Sequence, residues 1–327
     1  MNNNIRFIGK HITKNNKEYF AFSGTGFEFI ILPKEDNFSF TLSLISEVRE
    51  YEFQYLGVFI DGVFYSKEKL VSGQNNIRID LKKTEEKILV RVIKLNEVYL
   101  SSVYLKEVVL NNAEFGNKPL PKKNLIGFYG DSLTCGYGTS GFRVPDFTME
   151  SEEFHKCYAY LASEKLDMDY SVIARSGISV GIKIYCDLLF NEIYDTVDMY
   201  EKCSFDRTID YAVINLGTND SNGYFDPIVG KNKSGLLEKF VEEYIKLVER
   251  IIKDNPNVKV LMCYNMAKKD KLLNSKIKFV NDFIKAHYTN KCELLEFIPN
   301  ADGVNNHPYL TAHESSAKLL VAAIKSL

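Results

Sequence analysis

Two folding units are legible in this chain of 327 residues. The first, over residues 1–116, is an all-β antiparallel sandwich of jelly-roll type. The second, over residues 125–327, is an α/β domain whose parallel sheet carries helices on both faces, a three-layer α/β/α arrangement. Three observations predict this. Apolar and polar residues alternate along the first third of the chain, a segment rich in Pro and Lys follows, and from there apolar strands alternate with helical stretches.

In the first unit Phe38, Phe40, Leu42 and Leu44 alternate with Ser39, Thr41 and Ser43, as a half-buried strand requires. Val58 to Tyr65 carries Asp61-Gly62 between two apolar arms, a short hairpin signal. Ile77, Ile79 and Leu81 alternate again, and Lys87 to Leu95 forms another run. Many short strands with turn residues and no helical period imply a sandwich. Residues 117–124 are the linker: Pro119 and Pro121 stiffen it, and its lysines keep it solvated. Beyond it strands are predicted near 125–130, 170–174, 210–215, 258–264 and 292–297. The clearest helix runs from Leu237 to Lys253, with Phe240, Val241, Tyr244, Ile245, Val248 and Ile252 on one face. A last helix is expected to open on a capping box, Thr311-Ala312-His313-Glu314.

The composition narrows the function classes. Forty-one basic against 43 acidic residues give a net charge of −2, so nothing marks a nucleic-acid or anionic-membrane partner. Six cysteines are scattered without metal-ligand or disulfide spacing, and they read as reduced thiols with no metal or cofactor assigned. The start of the sequence has no apolar signal core, and no run approaches about 20 apolar residues. The expectation is therefore a cytoplasmic protein, of unspecified oligomeric state.

The chemistry concentrates in four short segments. A strand runs into Gly130-Asp131-Ser132-Leu133, then Gly136-Tyr137-Gly138, which lifts a serine hydroxyl onto a tight turn at the carboxyl end of a strand. Open α/β sheets place their chemistry at that edge, and a serine there becomes a nucleophile when a base lies nearby. A second strand leads into Arg175-Ser176-Gly177, a third into Gly217-Thr218-Asn219-Asp220, and Asp302-Gly303-Val304-Asn305-Asn306-His307-Pro308 precedes the final helix. Each segment alone also reads as ordinary turn or cap chemistry. Ser132 is the candidate nucleophile and His307 the candidate base. His11, His155 and His287 read as surface or satisfied core residues. His313 is the competitor, expected to face solvent or the loop.

Serine, glycine, asparagine and histidine in this order resemble the SGNH (GDSL-type) hydrolases. Gly-Asp-Ser-Leu-Thr-Cys-Gly-Tyr-Gly, the acidic Glu150, Glu152 and Glu153 before Tyr158-Ala159, and His307-Pro308 are similar to carbohydrate esterase family 2. The likeness extends to Gly24-Thr25-Gly26-Phe27-Glu28-Phe29 and to Lys94-Leu95-Asn96-Glu97. It implies an acetyl esterase acting on plant-polysaccharide sugars, with a β-sandwich ahead of the hydrolase domain.

The resemblance also implies roles. Ser132 N–H, Gly177 N–H and the Asn219 amide would form an oxyanion hole. SGNH enzymes usually carry an aspartate three residues before the histidine, but that position holds Val304, and Asp302 lies two residues further back. A Ser132–His307 dyad held by a backbone carbonyl or amide oxygen is expected, with Asp302 as the alternative orienting acid. The loop 139–157 (Phe142, Pro145, Phe147, Phe154) and the segment around Tyr224-Phe225 should rim a site for a small acetylated carbohydrate. Two further readings share these residues: a broader short-chain esterase, thioesterase or lysophospholipase, and an inert carbohydrate-binding protein.

Overall fold

The computed structural model describes residues 3–49, 51–231 and 233–327. Its contacts divide the chain into two compact units. One comprises Met1–Pro121 with Thr196–Cys203, the other Lys122–Asp195 with Ser204–Leu327.

The first unit is built of two antiparallel sheets. One has the order β1 (Arg6–Ile8), β4 (Gly26–Pro33), β9 (Ile88–Lys94), β6 (Phe53–Ile60), β7 (Val63–Val71), with β11 (Ala113–Phe115) also on β4. The other has the order β2 (Ile12–Lys14), β3 (Lys17–Phe20), β10 (Ser101–Asn111), β5 (Asn37–Val48), β8 (Gly73–Lys82). The alternation read in the sequence becomes a packed interior: Phe40, Leu42 and Leu44 from β5 meet Phe27 and Phe29 from β4 and Val90 and Val92 from β9. Phe29 and Phe40 sit edge to face at 5.5 Å, a geometry worth about 1 kcal/mol beyond burial. Asp61 (φ +49°) and Gly62 (φ +81°) turn β6 into β7, as the Asp-Gly pair predicts. Residues 196–203 group with this unit although they lie far along the chain, and Tyr19 Oη donates to Asp198 at 2.8 Å.

The second unit has a parallel sheet in the order β13 (Asp169–Ala174), β12 (Leu125–Gly130), β14 (Tyr211–Asn215), β15 (Lys259–Tyr264), β16 (Cys292–Glu296). Around it lie α1 (Ser132–Cys135), α2 (Tyr158–Leu166), α3 (Phe190–Ile193), α4 (Thr218–Phe225), α5 (Leu236–Asp254), α6 (Lys271–His287) and α7 (Leu310–Ser326). Helix α2 packs with α7, and α5 with α6. On α5 Phe240, Tyr244, Val248 and Ile252 of the predicted stripe are buried, but Val241 and Ile245 are only half-buried, and Leu247 and Ile251 join the core instead. The chain passes from β12 to β13 on one side and then to β14 on the other. The carboxyl end of β12 is therefore a switch point, where open α/β sheets form a crevice. Among the described residues no helix is long and apolar enough to cross a membrane.

One local expectation fails here. Helix α7 begins at Leu310 with Tyr309 as its N-cap and no side-chain cap bond, so Thr311 lies inside the helix and the capping box does not form. Pro308 stands two residues before Leu310, outside the helix that a proline would disrupt.

Candidate active site

Three neighbouring strands end in register, Gly130 beside Ala174 and beside Asn215. Ser132, Gly177 and Asn219 follow two, three and four residues later, so the sheet itself gathers them at one edge. Ser132 opens α1, a single turn whose N-cap, Asp131, accepts from Leu133 N at 3.0 Å. Gly130 must lack a side chain, because a Cβ there would lie 2.0 Å from Thr134 Oγ1. Ser132 is 7% exposed. Gly177 adopts φ +77°, open to glycine at no cost.

The structure brings Ser132 and His307 into contact: Ser132 Oγ lies 2.9 Å from His307 Nε2. The other ring nitrogen, Nδ1, lies 3.1 Å from the carbonyl oxygen of Asn305. A carbonyl can only accept, so Nδ1 carries the proton and Nε2 is left as the acceptor for the serine hydroxyl. Asn305 (φ +47°) and Asn306 (φ +58°) both occupy the left-handed region, which asparagine tolerates better than most residues. That turn lets the chain fold back so that a carbonyl two residues upstream meets its own imidazole. Burial pushes the His307 imidazole below its ordinary value, while its bonds to the Asn305 and Val304 backbone push the other way.

Asp302 is committed elsewhere. Its Oδ1 accepts from Arg143 Nε at 2.9 Å and its Oδ2 from Asn300 Nδ2 at 3.0 Å, and the Arg143 guanidinium holds its carboxyl below the usual range. Backbone bonds add to this link, Arg143 N to Asp302 O at 2.6 Å and Asn305 N to Val144 O at 2.9 Å. Asp302 therefore fastens the loop 141–144 to the segment that carries His307, and a backbone oxygen holds the imidazole.

Asn219 Nδ2 donates to Ile178 O at 2.9 Å and, more weakly, to Asp131 Oδ2 at 3.4 Å. Asp220, to which the sequence assigned no role, is fully buried. It accepts from Val180 N (2.9 Å), Gly181 N (2.7 Å) and Ile182 N (2.8 Å), pinning the segment that follows Gly177. Desolvation raises its carboxyl to about 6, and those three N–H donors limit the rise.

The expected rim divides. Phe142 is 56% exposed and meets Tyr309 edge to face at 5.2 Å. Pro145 is exposed and Phe147 half-buried, stacked on Tyr137 at 4.4 Å. Phe154, expected at the rim, is fully buried against Tyr160 and Tyr170: its loop dips into the core before α2. Tyr224 and Phe225 meet each other at 5.1 Å, and Lys233 Nζ lies over both rings at 4.6 and 5.2 Å. His313 does not face solvent. It is fully buried, its Nδ1 accepts from Tyr158 N at 3.2 Å, and burial lowers it to about 3.

Two aromatic rings were missed from the sequence. Tyr137 lies over the His307 imidazole, and Tyr185 is 58% exposed beside Gly177, where a Cβ would come within 2.7 Å of the Tyr185 Cβ. The Gly-Tyr-Gly run was the available signal for the first. Nothing local marks the second.

Known proteins resemble this chain in sequence and in fold. The cellulase/esterase CelE of Acetivibrio thermocellus is 27% identical over 222 residues, 64% of this chain and 26% of that protein. The acetylxylan esterase / glucomannan deacetylase of Cellvibrio japonicus is 27% identical over 159 residues, 44% of this chain and 43% of that protein. The chain thus spans less than half the length of these curated relatives. Among solved structures, a family two carbohydrate esterase from Clostridium thermocellum in complex with cellohexaose superposes with a TM-score of 0.88 at 22% identity, covering 98% of each chain. An acetyl xylan esterase from the rumen bacterium Butyrivibrio proteoclasticus gives 0.85 at 20% identity, covering all of this chain and 96% of the other. At such identities the superpositions show the fold, a jelly-roll sandwich with an SGNH-type α/β domain. The sequence pattern of the GDSL-like Lipase/Acylhydrolase family matches residues 128–318, more than half of the chain, and the chain belongs to that family.

Proposed function

We propose that this chain is a serine esterase that removes O-acetyl groups from carbohydrates through an acyl-enzyme. The observation that carries the reading is the Ser132 Oγ–His307 Nε2 contact at 2.9 Å, with Nδ1 held by Asn305 O at 3.1 Å. That geometry fixes the tautomer in which the imidazole can accept the serine proton.

In this mechanism Oγ attacks the acetyl carbonyl carbon as its proton passes to Nε2, and the carbonyl π pair moves onto oxygen. The backbone N–H groups of Ser132 and Gly177 and the Asn219 amide stabilise that oxyanion. Collapse expels the sugar oxygen, which takes the proton from Nε2. Water, deprotonated by the same imidazole, then attacks the acetyl-serine; Oγ leaves with the proton from Nε2, regenerating Ser132 and neutral His307 and releasing acetate.

The relatives, an acetylxylan esterase / glucomannan deacetylase and a cellulase/esterase, support a carbohydrate ester as substrate. The exposed rings of Tyr185 and Phe142 offer faces on which a sugar can lie. Among the described residues all six cysteines are free thiols, which supports action in a reducing compartment.

The test is acetate release from acetylated xylo- and gluco-oligosaccharides, beside p-nitrophenyl acetate and butyrate, with Ser132→Ala as control. Acetate release that disappears in the variant, with little butyrate hydrolysis, is the expected result. Hydrolysis of both aryl esters without oligosaccharide deacetylation would favour a broader short-chain esterase. A wild-type protein inactive on all of them would favour a binding role.

A further inference from the structure

We propose that Tyr137 is a positioning residue for the base, its ring face supporting the positive charge that His307 acquires when it takes the Ser132 proton. The proposal deepens the esterase reading above and rests on it. The Tyr137 and His307 rings lie 4.2 Å apart between centroids, inclined at 34°. Phe147 stacks on Tyr137 at 4.4 Å and 23°, so three rings form one stack with the imidazole at its end.

The backbone holds this stack in place. Tyr137 stands between Gly136 (φ +87°) and Gly138 (φ +71°), two left-handed turns in succession around one residue. A Cβ on Gly138 would lie 2.7 Å from Val304 Cβ, so this turn packs directly on the segment that leads to His307. The Tyr137 ring is thereby fixed over the imidazole rather than free to swing away.

The chemistry follows from what surrounds the ring nitrogens. Nε2 meets Ser132 Oγ and Nδ1 meets the neutral Asn305 carbonyl, so no carboxylate bonds the imidazole among the described residues. On the neighbouring segments Asp302 is paired with Arg143, and on α7 His313 is buried and neutral. A protonated imidazole over an aromatic face is attracted by the ring quadrupole, whereas the neutral ring gains less. Tyr137 therefore favours the charged form selectively, in the step where Nε2 holds the proton.

The sign of one measurement separates this role from simple packing. A ring that only covers His307 excludes water and holds its pKa down, so removing it raises the pKa. A ring that supports the cation holds the pKa up, so removing it lowers the pKa. The experiment is a proton–carbon NMR titration of the full chain labelled with ¹³C-histidine, with the His307 signal assigned from His307→Gln. Wild type, Tyr137→Phe and Tyr137→Leu are compared, together with kcat and KM on p-nitrophenyl acetate.

The expected result is a Phe variant within about 0.2 pH unit of wild type. In the Leu variant the His307 pKa falls by about half a pH unit and kcat by roughly 3- to 10-fold, with KM little changed. If the Leu variant does not fold, pentafluorophenylalanine at position 137 keeps the shape and reverses the quadrupole, and the same fall is expected. An unchanged or raised pKa overturns the proposal. Because the titration needs no turnover, a wild type without esterase activity sinks the esterase reading while the His307 pKa still decides the role of Tyr137.

Discussion

His307 gives its orienting hydrogen bond to Asn305, whose carbonyl oxygen lies 3.1 Å from Nδ1. The acceptor is a backbone atom, so it carries no charge and cannot be removed by side-chain truncation. Asp302, the acidic residue closest in sequence, spends its carboxylate on Arg143 and Asn300. Its function is to fasten two loops, and this separates its expected phenotype from that of His307. Asp302→Ala is expected to lower kcat/KM on p-nitrophenyl acetate by less than about 10-fold, the size of a lost surface ion pair and loop bond. His307→Ala is expected to cost about 10³-fold or more. Equal losses in the two variants would return Asp302 to the role of orienting acid.

The pH dependence follows from burial. Desolvation lowers the His307 imidazole, and only the neutral ring can accept the Ser132 proton. The kcat/KM profile should therefore rise with pH through an apparent pKa below the ordinary histidine value of about 6.5 and be flat above it. An acidic limb centred above that value would show that a nearby negative charge, not burial, governs the base.

His313 yields a stability prediction with a definite sign. Its folded value is lowered to about 3, so between about 6.5 and 3 the unfolded chain binds a proton that the folded chain does not. Stability is present at neutral pH and is lost as pH falls through this window. Asn at this position keeps an acceptor for Tyr158 N–H but does not titrate. Between pH 7 and pH 5, wild type should lose about 2 kcal/mol more unfolding free energy than His313→Asn, measured by denaturant titration. Parallel losses in the two proteins would contradict a buried neutral imidazole.

How much of this was legible depended on whether the determinant was local. Ser132, Gly177 and Asn219 stood out because each follows a strand within four residues, and strand register alone brings them together. The alternation of Phe38 to Leu44 marked β5, whose apolar face fills the sandwich core, although Ser39 and Ser43 on its other face are buried too and the strand is not half-buried as expected. Asn305 was less visible. Its role depends on a left-handed backbone and a carbonyl, neither of which a side-chain motif records. Phe154 and His313 were misread for the converse reason: tertiary packing buries Phe154 against Tyr160 and Tyr170, and His313 where α7 packs on α2, and neither contact is local in sequence. The grouping of residues 196–203 with the sandwich unit has no mark in the sequence at all.

Asp220 shows how a residue outside the reacting atoms can set the geometry of the proposed oxyanion donors. Its two oxygens accept three successive backbone N–H groups, Val180 on Oδ2 and Gly181 and Ile182 on Oδ1. The adjoining Asn219 amide donates to Ile178 O, so both ends of the segment after Gly177 are tied to α4. With its carboxyl raised only to about 6, Asp220 is ionised at neutral pH and accepts at every lone pair it needs. Asn at this position can keep Gly181 and Ile182 on its oxygen, but its NH₂ then faces the Val180 N–H, donor against donor. Ala loses all three bonds and leaves three buried donors unsatisfied, at about 1–3 kcal/mol each before relaxation. We expect kcat to fall in the order wild type, Asp220→Asn, Asp220→Ala, with the Ala variant down about 10²-fold, as for a displaced oxyanion donor. KM for p-nitrophenyl acetate, which makes few contacts beyond the acetyl group, should change little. Steady-state kinetics on variants shown by near-UV circular dichroism to be folded decides the matter. A rise in KM at constant kcat would mean that the segment shapes substrate binding and leaves the oxyanion donors where they are.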